Sequence, residues 1–212
     1  MGMGARSAVY VHDIFNILAL TAIIAVDIIY LFYVTDLQRL STSSLGAEHV
    51  PLFLSFFYAF GVYLCVDTVW ICVVPACTVA SSLPIIIHHI LTFLFTLIPY
   101  FHPQFGWHMA VVLLVEINTL FLTLKRNVEK DSYFFQGFNI LFYFTWILMR
   151  LVCFPLLTFF FIAEYMRFSK EIGTWWNIVL LAPVFQILIT GLSFKWTLDM
   201  LKKKKKTESK KK

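Results

Sequence analysis

Six side chains that can exchange protons or carry charge interrupt the apolar blocks of this sequence. Two are adjacent histidines, and the others are three acids and an arginine: His88, His89, Asp27, Asp67, Glu116 and Arg150. An imidazole beside a carboxylate can accept a proton from an amine or a hydroxyl, or carry an acyl group itself. A lone ionised side chain costs at least about 2.5–3.5 kcal/mol at the centre of a membrane span, so each should face the interior of a helix bundle.

The composition indicates that membrane-spanning helices position these side chains. Of the 212 residues, 60% are hydrophobic and 14% are charged, against roughly 45–50% and 25% in soluble domains. The apolar residues form six blocks, each near the ~20 residues that cross a hydrocarbon layer of ~30 Å. We therefore predict spans at Ile14 to Val34, Pro51 to Val74, Leu83 to Phe101, Trp107 to Leu124, Phe138 to Ile162 and Trp175 to Met200.

The predicted fold class is all-α, a polytopic membrane protein with a bundle of about six transmembrane helices. Strands of a transmembrane barrel are about ten residues long with strict alternation, whereas these blocks are twice that length and unbroken. We divide the chain into an N-terminus at 1–13, a six-span domain at 14–200 and a basic tail at 201–212. The connection from Thr35 to Val50 has the Ser, Thr and Gly composition of an exposed turn.

Basic residues beside the spans predict the orientation. If the N-terminus is cytosolic, that side holds Arg6, Lys125, Arg126 and the lysine tail, whereas the opposite side keeps only three basic residues. The positive-inside bias then places both termini in the cytosol. Eight of the 17 basic residues lie in the last eleven residues of the sequence, so the positive net charge of +5 comes from this tail. A charged tail does not indicate a nucleic-acid-binding face.

Depth groups three of the polar positions. With a rise of ~1.5 Å per residue, Asp67, His88 and Glu116 each lie ~8–12 Å below the cytosolic surface. Because three consecutive spans place an acid or a histidine at one level, we predict a polar pocket there. Adjacent helical residues point about 100° apart, so one ring of the His88–His89 pair should face the pocket while the other packs sideways. The alternative is that these groups only hydrogen-bond the bundle together.

Asp27 and Arg150 form a second group. Each lies about thirteen residues into a span that starts in the cytosol, which places both near the midplane. We predict a structural ion pair between them that fixes helix rotation, with a catalytic role as the alternative.

Membrane di-iron chemistry is the rival use of histidine. It needs about eight clustered ligands, and this chain has six histidines, of which His12, His49, His102 and His108 are isolated in the sequence. No metal site is therefore predicted.

Several of these landmarks recur in order in a known family. Asp67, the HHILTFLF stretch from His88, the EINTLFLTLKR stretch from Glu116 and the LMRLVCFP stretch with Arg150 together resemble the TLC domain. Translocating-chain-associated proteins, ceramide synthases and smaller TLC-domain-containing proteins share it. The family's marks are an acid closing the second span, a double histidine opening the third and a glutamate-led stretch late in the fourth. The resemblance covers nearly the whole chain and implies a role in lipid metabolism.

The sequence also departs from the ceramide synthases. Those enzymes carry a paired aspartate motif after the double histidine, and the corresponding region here offers Glu116 and Asn118 without a second acid. Asn118 and Leu120 also replace the family's serine and proline. This pattern is more similar to the non-synthase branch of the family.

Two functions from different classes remain open. In the first, an acyltransferase resembling ceramide synthase uses His88 or His89 with Asp67 or Glu116, and acyl-CoA is its co-substrate without further cofactors. Its lipid- or acyl-CoA-binding residues would be Asn118, Thr119, Lys125 and Arg126, with the two basic side chains at the mouth to meet phosphates. In the second, the bundle is a non-catalytic lipid-binding regulator, or a cargo or biogenesis factor. Membrane lipids are the expected partners in both.

The expected compartment is the endoplasmic reticulum, from the resemblance and from the lysine tail. A dilysine retrieval signal needs lysine three and four positions from the end, and here Lys210 fits whereas Ser209 does not. The tail also suits attraction to anionic lipid head groups.

Overall fold

The computed structural model describes residues 3–34, 50–78, 82–102 and 105–209. Within these ranges the chain forms helices and turns and contains no strand, which confirms the predicted all-α fold. Helices suit a lipid-facing chain because they satisfy every backbone hydrogen bond within one segment.

The described ranges contain eight α-helices. They are α1 Met3–Val34, α2 Val50–Val73, α3 Leu83–Phe101, α4 Gly106–Leu113, α5 Glu116–Arg126, α6 Tyr133–Thr145, α7 Phe154–Ile172 and α8 Leu181–Ser209. A π-helical segment, Trp146–Cys153, joins α6 to α7. Short 3₁₀ turns lie at Pro75–Cys77 and Ile178–Leu180.

Six helical stretches are long and apolar enough to cross a membrane, so the chain is an integral multi-pass membrane protein. They are Ser7–Phe32, Phe53–Val73, Leu83–Phe101, Gly106–Arg126, Tyr133–Ile172 and Ile178–Lys202.

Their bounds differ from the predicted ones in two places that matter for function. The first stretch begins at Ser7 and not at Ile14, which brings His12 and Asp13 into it. The fourth is interrupted at Leu114 and Val115, so that Glu116 begins a new helix. The predicted turn at 35–49 and the tail lysines at 210–212 lie outside the described residues.

The first of two units comprises Met1–Trp146. Its apolar core lies where α1, α2 and α4 meet, and it includes the fully buried Leu20, Phe56, Phe60 and Met109. Gly106 begins α4 at a point of close approach, because a Cβ there would lie 2.6 Å from the Tyr30 hydroxyl oxygen. Glycine is therefore the residue that lets α4 pack at this distance.

The second unit comprises Ile147–Lys212, and its α7 and α8 pack against each other. Helix α7 ends at Gly173, whose φ of 73° lies in the left-handed region that favours glycine. Asn177 then fixes the turn, since its Oδ1 accepts from the Val179 amide at 3.1 Å and its Nδ2 donates to Ser169 Oγ at 2.9 Å.

Candidate functional site

One face of α1 carries buried polar side chains into the first unit. His12, Asn16 and Asp27 lie there with Leu20 and Tyr30, and all five are buried. Their spacing keeps them on one side of a helix. Helix α1 packs against α2, α4, α5 and the Pro75–Cys77 turn. Buried polar groups are costly without partners, and for His12 and Asn16 helix α2 supplies them.

The carboxylate of Asp67 lies between two imidazoles. Nε2 of His12 is 2.6 Å from Oδ1, and Nε2 of His89, near the start of α3, is 3.5 Å from Oδ2. All three side chains are buried. The structure thus brings together Asp67 and His89, which the sequence placed at one depth, and adds His12 from α1.

Hydrogen-bond partners assign the proton on His12. The Tyr63 hydroxyl donates to Asn16 Oδ1 at 2.9 Å, so the amide nitrogen of Asn16 must face the imidazole. That nitrogen is 3.3 Å from Nδ1 and 3.2 Å from Nε2 of His12. At 2.6 Å, Nε2 of His12 is the ring nitrogen that donates to Asp67.

The same reasoning assigns the proton on His89. The Thr68 hydroxyl donates its one hydrogen to the Leu64 carbonyl oxygen at 2.6 Å. Its oxygen therefore accepts from Nδ1 of His89, which lies 3.0 Å away. A neutral His89 then has its lone pair on Nε2. Nε2 of His89 is the atom that can accept a proton.

His88 lies outside this chain of contacts. Its side chain is half-buried, and the centre of its ring is 6.0 Å from that of His89. The two rings point in different directions, as adjacent positions on a helix require. Of the predicted pair, His89 is the one placed against the carboxylate.

A second buried carboxylate, Asp13, ties α1 to the end of α5. The Arg126 guanidinium pairs with Asp13 Oδ1, and Asn127 Nδ2 donates to Asp13 Oδ2 at 2.9 Å. Asp13 is almost completely buried, whereas the side chain of Arg126 is 32% exposed. Arg126 was predicted to bind acyl-CoA phosphates. In the structure its guanidinium forms an ion pair with Asp13 of the same chain.

The other predicted lipid-binding residues lie along α5 and mostly face α6. Asn118 Nδ2 donates to the Phe142 carbonyl oxygen at 2.8 Å and to Thr145 Oγ1 at 3.0 Å. The ammonium of Lys125 lies 4.2 Å from the Phe142 ring centre and donates to Asn139 at 3.2 Å. Thr119 is half-buried. These contacts hold α5 against α6.

Glu116 is buried in the first turn of α5. It lies within electrostatic range of Asp27 and of Tyr63, and Tyr63 is also within electrostatic range of Asp67. The place of Glu116 in the polar pocket stays a prediction.

The predicted ion pair would join Asp27 of the first unit to Arg150 of the second unit. Asp27 is buried, and neither of its oxygens has a hydrogen-bond partner among the described residues. Arg150 lies on the π-helical segment of the second unit, where it donates to Ser193 Oγ at 3.5 Å and lies over the Trp196 ring. The pairing of Asp27 with Arg150 stays a prediction.

The sequence treated His12 as isolated, and this was wrong. A usable signal existed, because His12 and Asn16 are in phase with Asp27 on a helical face. Because the predicted first span began at Ile14, it excluded His12 and so did not include this shared helical face. Tyr63 and Thr68, which orient the two imidazoles, each lie within a turn of Asp67, but nothing in the sequence separates them from ordinary core residues.

The 3₁₀ turn after α2 adds a thiol beside these groups. Cys77 is buried in that turn. Burial, followed by the nearby carboxylates of Asp67 and Asp13, raises the pKa of the Cys77 thiol. A thiol is a nucleophile only when it is deprotonated, so Cys77 is not suited to nucleophilic chemistry at neutral pH.

The arrangement can perform general base chemistry. His89 offers an unprotonated nitrogen, and Asp67 would stabilise the imidazolium that forms after proton transfer. Among the described residues, no group of three or more His, Cys, Asp or Glu side chains could hold a metal ion.

Comparison with known families gave one finding. The family model of the TLC domain matches residues 7–202. Neither the search of curated proteins nor the search of solved structures found a matching relative. The matched range includes every residue of the site described above.

Proposed function

The chain belongs to the TLC-domain family, and on that basis we propose that it is a multi-pass membrane protein of lipid metabolism whose buried His89 and Asp67 catalyse acyl-CoA-dependent acyl transfer. The acyl acceptor would be a lipid amine or hydroxyl. Substrate would enter an intramembrane lipid pocket at the end of the first unit that holds His12, Asp67 and His89.

The observation that carries the proposal is the position of Asp67 beside Nε2 of His89, at 3.5 Å. A carboxylate at this distance would stabilise the positive charge that the imidazole of a general base carries after it accepts a proton. Because both groups are buried, the interaction is stronger than the same pair would be in water.

The proposed reaction is balanced without a further reactant. The acceptor nitrogen or oxygen attacks the thioester carbonyl while Nε2 of His89 removes its proton. The carbon–sulfur bond then breaks, and the coenzyme A thiolate takes that proton from the imidazolium. The products are the acylated lipid and free coenzyme A, and His89 returns to its neutral form.

A second candidate function is a non-catalytic lipid-binding regulator, or a cargo or biogenesis factor of the endoplasmic reticulum. It is favoured by the absence from this sequence of the paired aspartate motif that ceramide synthases carry. Asn118 stands in the corresponding region, and its amide is committed to α6. The site would then bind a lipid head group without transferring an acyl chain.

We also propose that the protein resides in the endoplasmic reticulum with both termini in the cytosol. The basic flanks and the lysine tail support this orientation. It would place the His89 site on the side from which acyl-CoA arrives.

The test uses purified full-length protein in lipid nanodiscs with a long-chain acyl-CoA and a long-chain amine. Coenzyme A release and the acylated product are measured per unit of folded protein. We expect His89→Ala to lower turnover by about 10²–10⁴-fold, the usual range for loss of a general base. Asp67→Asn should also lower turnover, because a neutral amide cannot stabilise the imidazolium that forms on His89.

His102→Ala is the matched control, since His102 lies between α3 and α4, outside the site. It should leave turnover unchanged. If wild-type protein turns over no acyl-CoA with amine or hydroxyl acceptors, the enzyme proposal is wrong. Lipidomics of cells that lack the protein, compared with cells carrying the His88→Ala and His89→Ala double variant, would then test the regulatory function.

A further inference from the structure

We infer that His12 is a positioning residue of this site, an inference that rests on the proposed acyl transfer. By donating its Nε2 proton to Asp67, it satisfies the carboxylate and leaves the Nε2 lone pair of His89 available to accept a proton. His12 and His89 therefore have different roles, although both contact Asp67.

The two distances to Asp67 support this division. His12 Nε2 lies 2.6 Å from one oxygen, whereas His89 Nε2 lies 3.5 Å from the other. A buried carboxylate without a donor carries a large desolvation cost. If His12 did not supply the donor, the carboxylate would draw a proton onto the nearest alternative, which is Nε2 of His89.

The hydrogen-bond partners of each imidazole independently support this division of roles between His12 and His89. Nε2 of His12 contacts Asp67, and the Asn16 amide nitrogen lies 3.3 Å from Nδ1 and 3.2 Å from Nε2 of the same ring. The contacts of His12 are therefore made with internal partners. His89 uses only Nδ1, which donates to Thr68, so its reactive nitrogen remains available.

Helix α1 is held in the rotation that this role needs. His12 reaches α2, while Asp13, the next residue, reaches Arg126 at the end of α5. Adjacent helical side chains point about 100° apart, so a rotation of α1 that kept one contact would lose the other. Asn16 adds a third contact one turn away, through the Tyr63 hydroxyl.

Two polar substitutions of similar size separate positioning from folding. The amide nitrogen of glutamine occupies nearly the place of Nε2, whereas that of asparagine occupies the place of Nδ1. His12→Gln therefore keeps a donor for Asp67, and His12→Asn removes it. Both variants are compared with wild type for abundance and thermal stability before any further measurement.

The first readout does not depend on acyl transfer. Diethyl pyrocarbonate acylates an unprotonated imidazole nitrogen, and mass spectrometry locates the modified histidine. His102 is the internal reference, because burial lowers the pKa of this imidazole and keeps it neutral at about pH 7.5. We expect labelling of His89 relative to His102 to fall in His12→Asn, by at most about fivefold because one hydrogen bond changes the ratio of protonated to neutral imidazole by about that factor, and to stay near wild type in His12→Gln.

The second readout is turnover in nanodiscs. We expect His12→Asn to lower kcat about ten- to a hundredfold with KM nearly unchanged, because His12 acts through Asp67 and does not touch substrate. His12→Gln should restore most of kcat. The positioning role is wrong if His89 is not labelled in wild type. It is also wrong if labelling of His89 in His12→Asn equals that in wild type, or if His12→Asn and His12→Gln lose labelling to the same extent. If labelling follows expectation while wild type transfers no acyl group, the proposed function fails and the positioning role stands.

Discussion

Nε2 of His12 lies 2.6 Å from Oδ1 of Asp67, which is 55 residues away in the chain. This contact joins α1 to α2 at the end of the unit where α5 also finishes. It commits one oxygen of Asp67 and leaves the other facing His89. The chemistry proposed for the site therefore depends on a histidine that takes no part in proton transfer with substrate.

The first prediction concerns the coupling between these two residues. His12→Leu leaves a buried carboxylate without its closest donor, and Asp67→Leu leaves a buried imidazole donor unpaired. Each should cost about 1–3 kcal/mol of unfolding free energy. The double variant should cost less than the sum by at least about 1 kcal/mol, because it removes both partners together. Reversible unfolding in detergent gives the unfolding free energy of wild type, of the two single variants and of the double variant.

The matched control for that cycle pairs His12→Leu with Gly137→Ala. A Cβ at Gly137 would meet nothing within 4 Å, so these two changes should add. A His12–Asp67 cycle that is also additive would mean that the two side chains do not interact.

The second prediction concerns Asp13 and Arg126. Arg126→Leu leaves the Asp13 carboxylate buried, with Asn127 Nδ2 still donating to it. We expect a loss of about 1–3 kcal/mol, below the 3–5 typical of a fully buried pair, because the Arg126 side chain is 32% exposed. Asp13→Leu in the same background should recover part of the loss.

Lys195→Ala supplies the comparison for an exposed ion pair. Lys195 and Asp199 are 58% and 45% exposed, and such pairs contribute about 0–1 kcal/mol. Equal losses in Arg126→Leu and Lys195→Ala would show that burial of Asp13 does not matter.

The third prediction concerns the close approach of α4. Gly106→Ala would put a Cβ 2.6 Å from the Tyr30 hydroxyl oxygen and 2.7 Å from Phe53 Cδ2. Overpacking of this kind costs about 1–3 kcal/mol, so Tm in detergent should fall by several degrees. Gly137→Ala, also within a helix but in open space, should leave Tm unchanged or raise it slightly. A Gly106→Ala protein as stable as wild type would contradict the packing at Tyr30.

The fourth prediction concerns topology. An N-glycosylation acceptor placed after Lys206 should remain unmodified in microsomes, because the basic flanks place that end in the cytosol. The same acceptor inserted between residues 35 and 49 should be glycosylated. The opposite pattern would reverse the orientation and would put the His89 site on the lumenal side.

Much of the fold followed from the sequence. Apolar blocks of span length predicted six membrane-crossing stretches, and the part of the chain that the structure describes contains six. Asp67 and His89 could be placed together because depth in a membrane follows from counting residues along a helix. The same count placed Glu116 at their level, and that placement stays a prediction, since Tyr63 lies within electrostatic range of both Glu116 and Asp67.

The sequence by itself determined the membrane-spanning, all-α architecture and the identity of the polar residues inside it, because apolar length and the cost of buried charge are local properties of the chain. Only the tertiary structure decided that His12 binds Asp67, that Asp13 takes Arg126, and which nitrogen of His89 carries the lone pair. Those outcomes depend on how helices distant in the chain are rotated against one another. A rotation of 100° about a helix axis exchanges one neighbouring side chain for the next, and no count of residues specifies it.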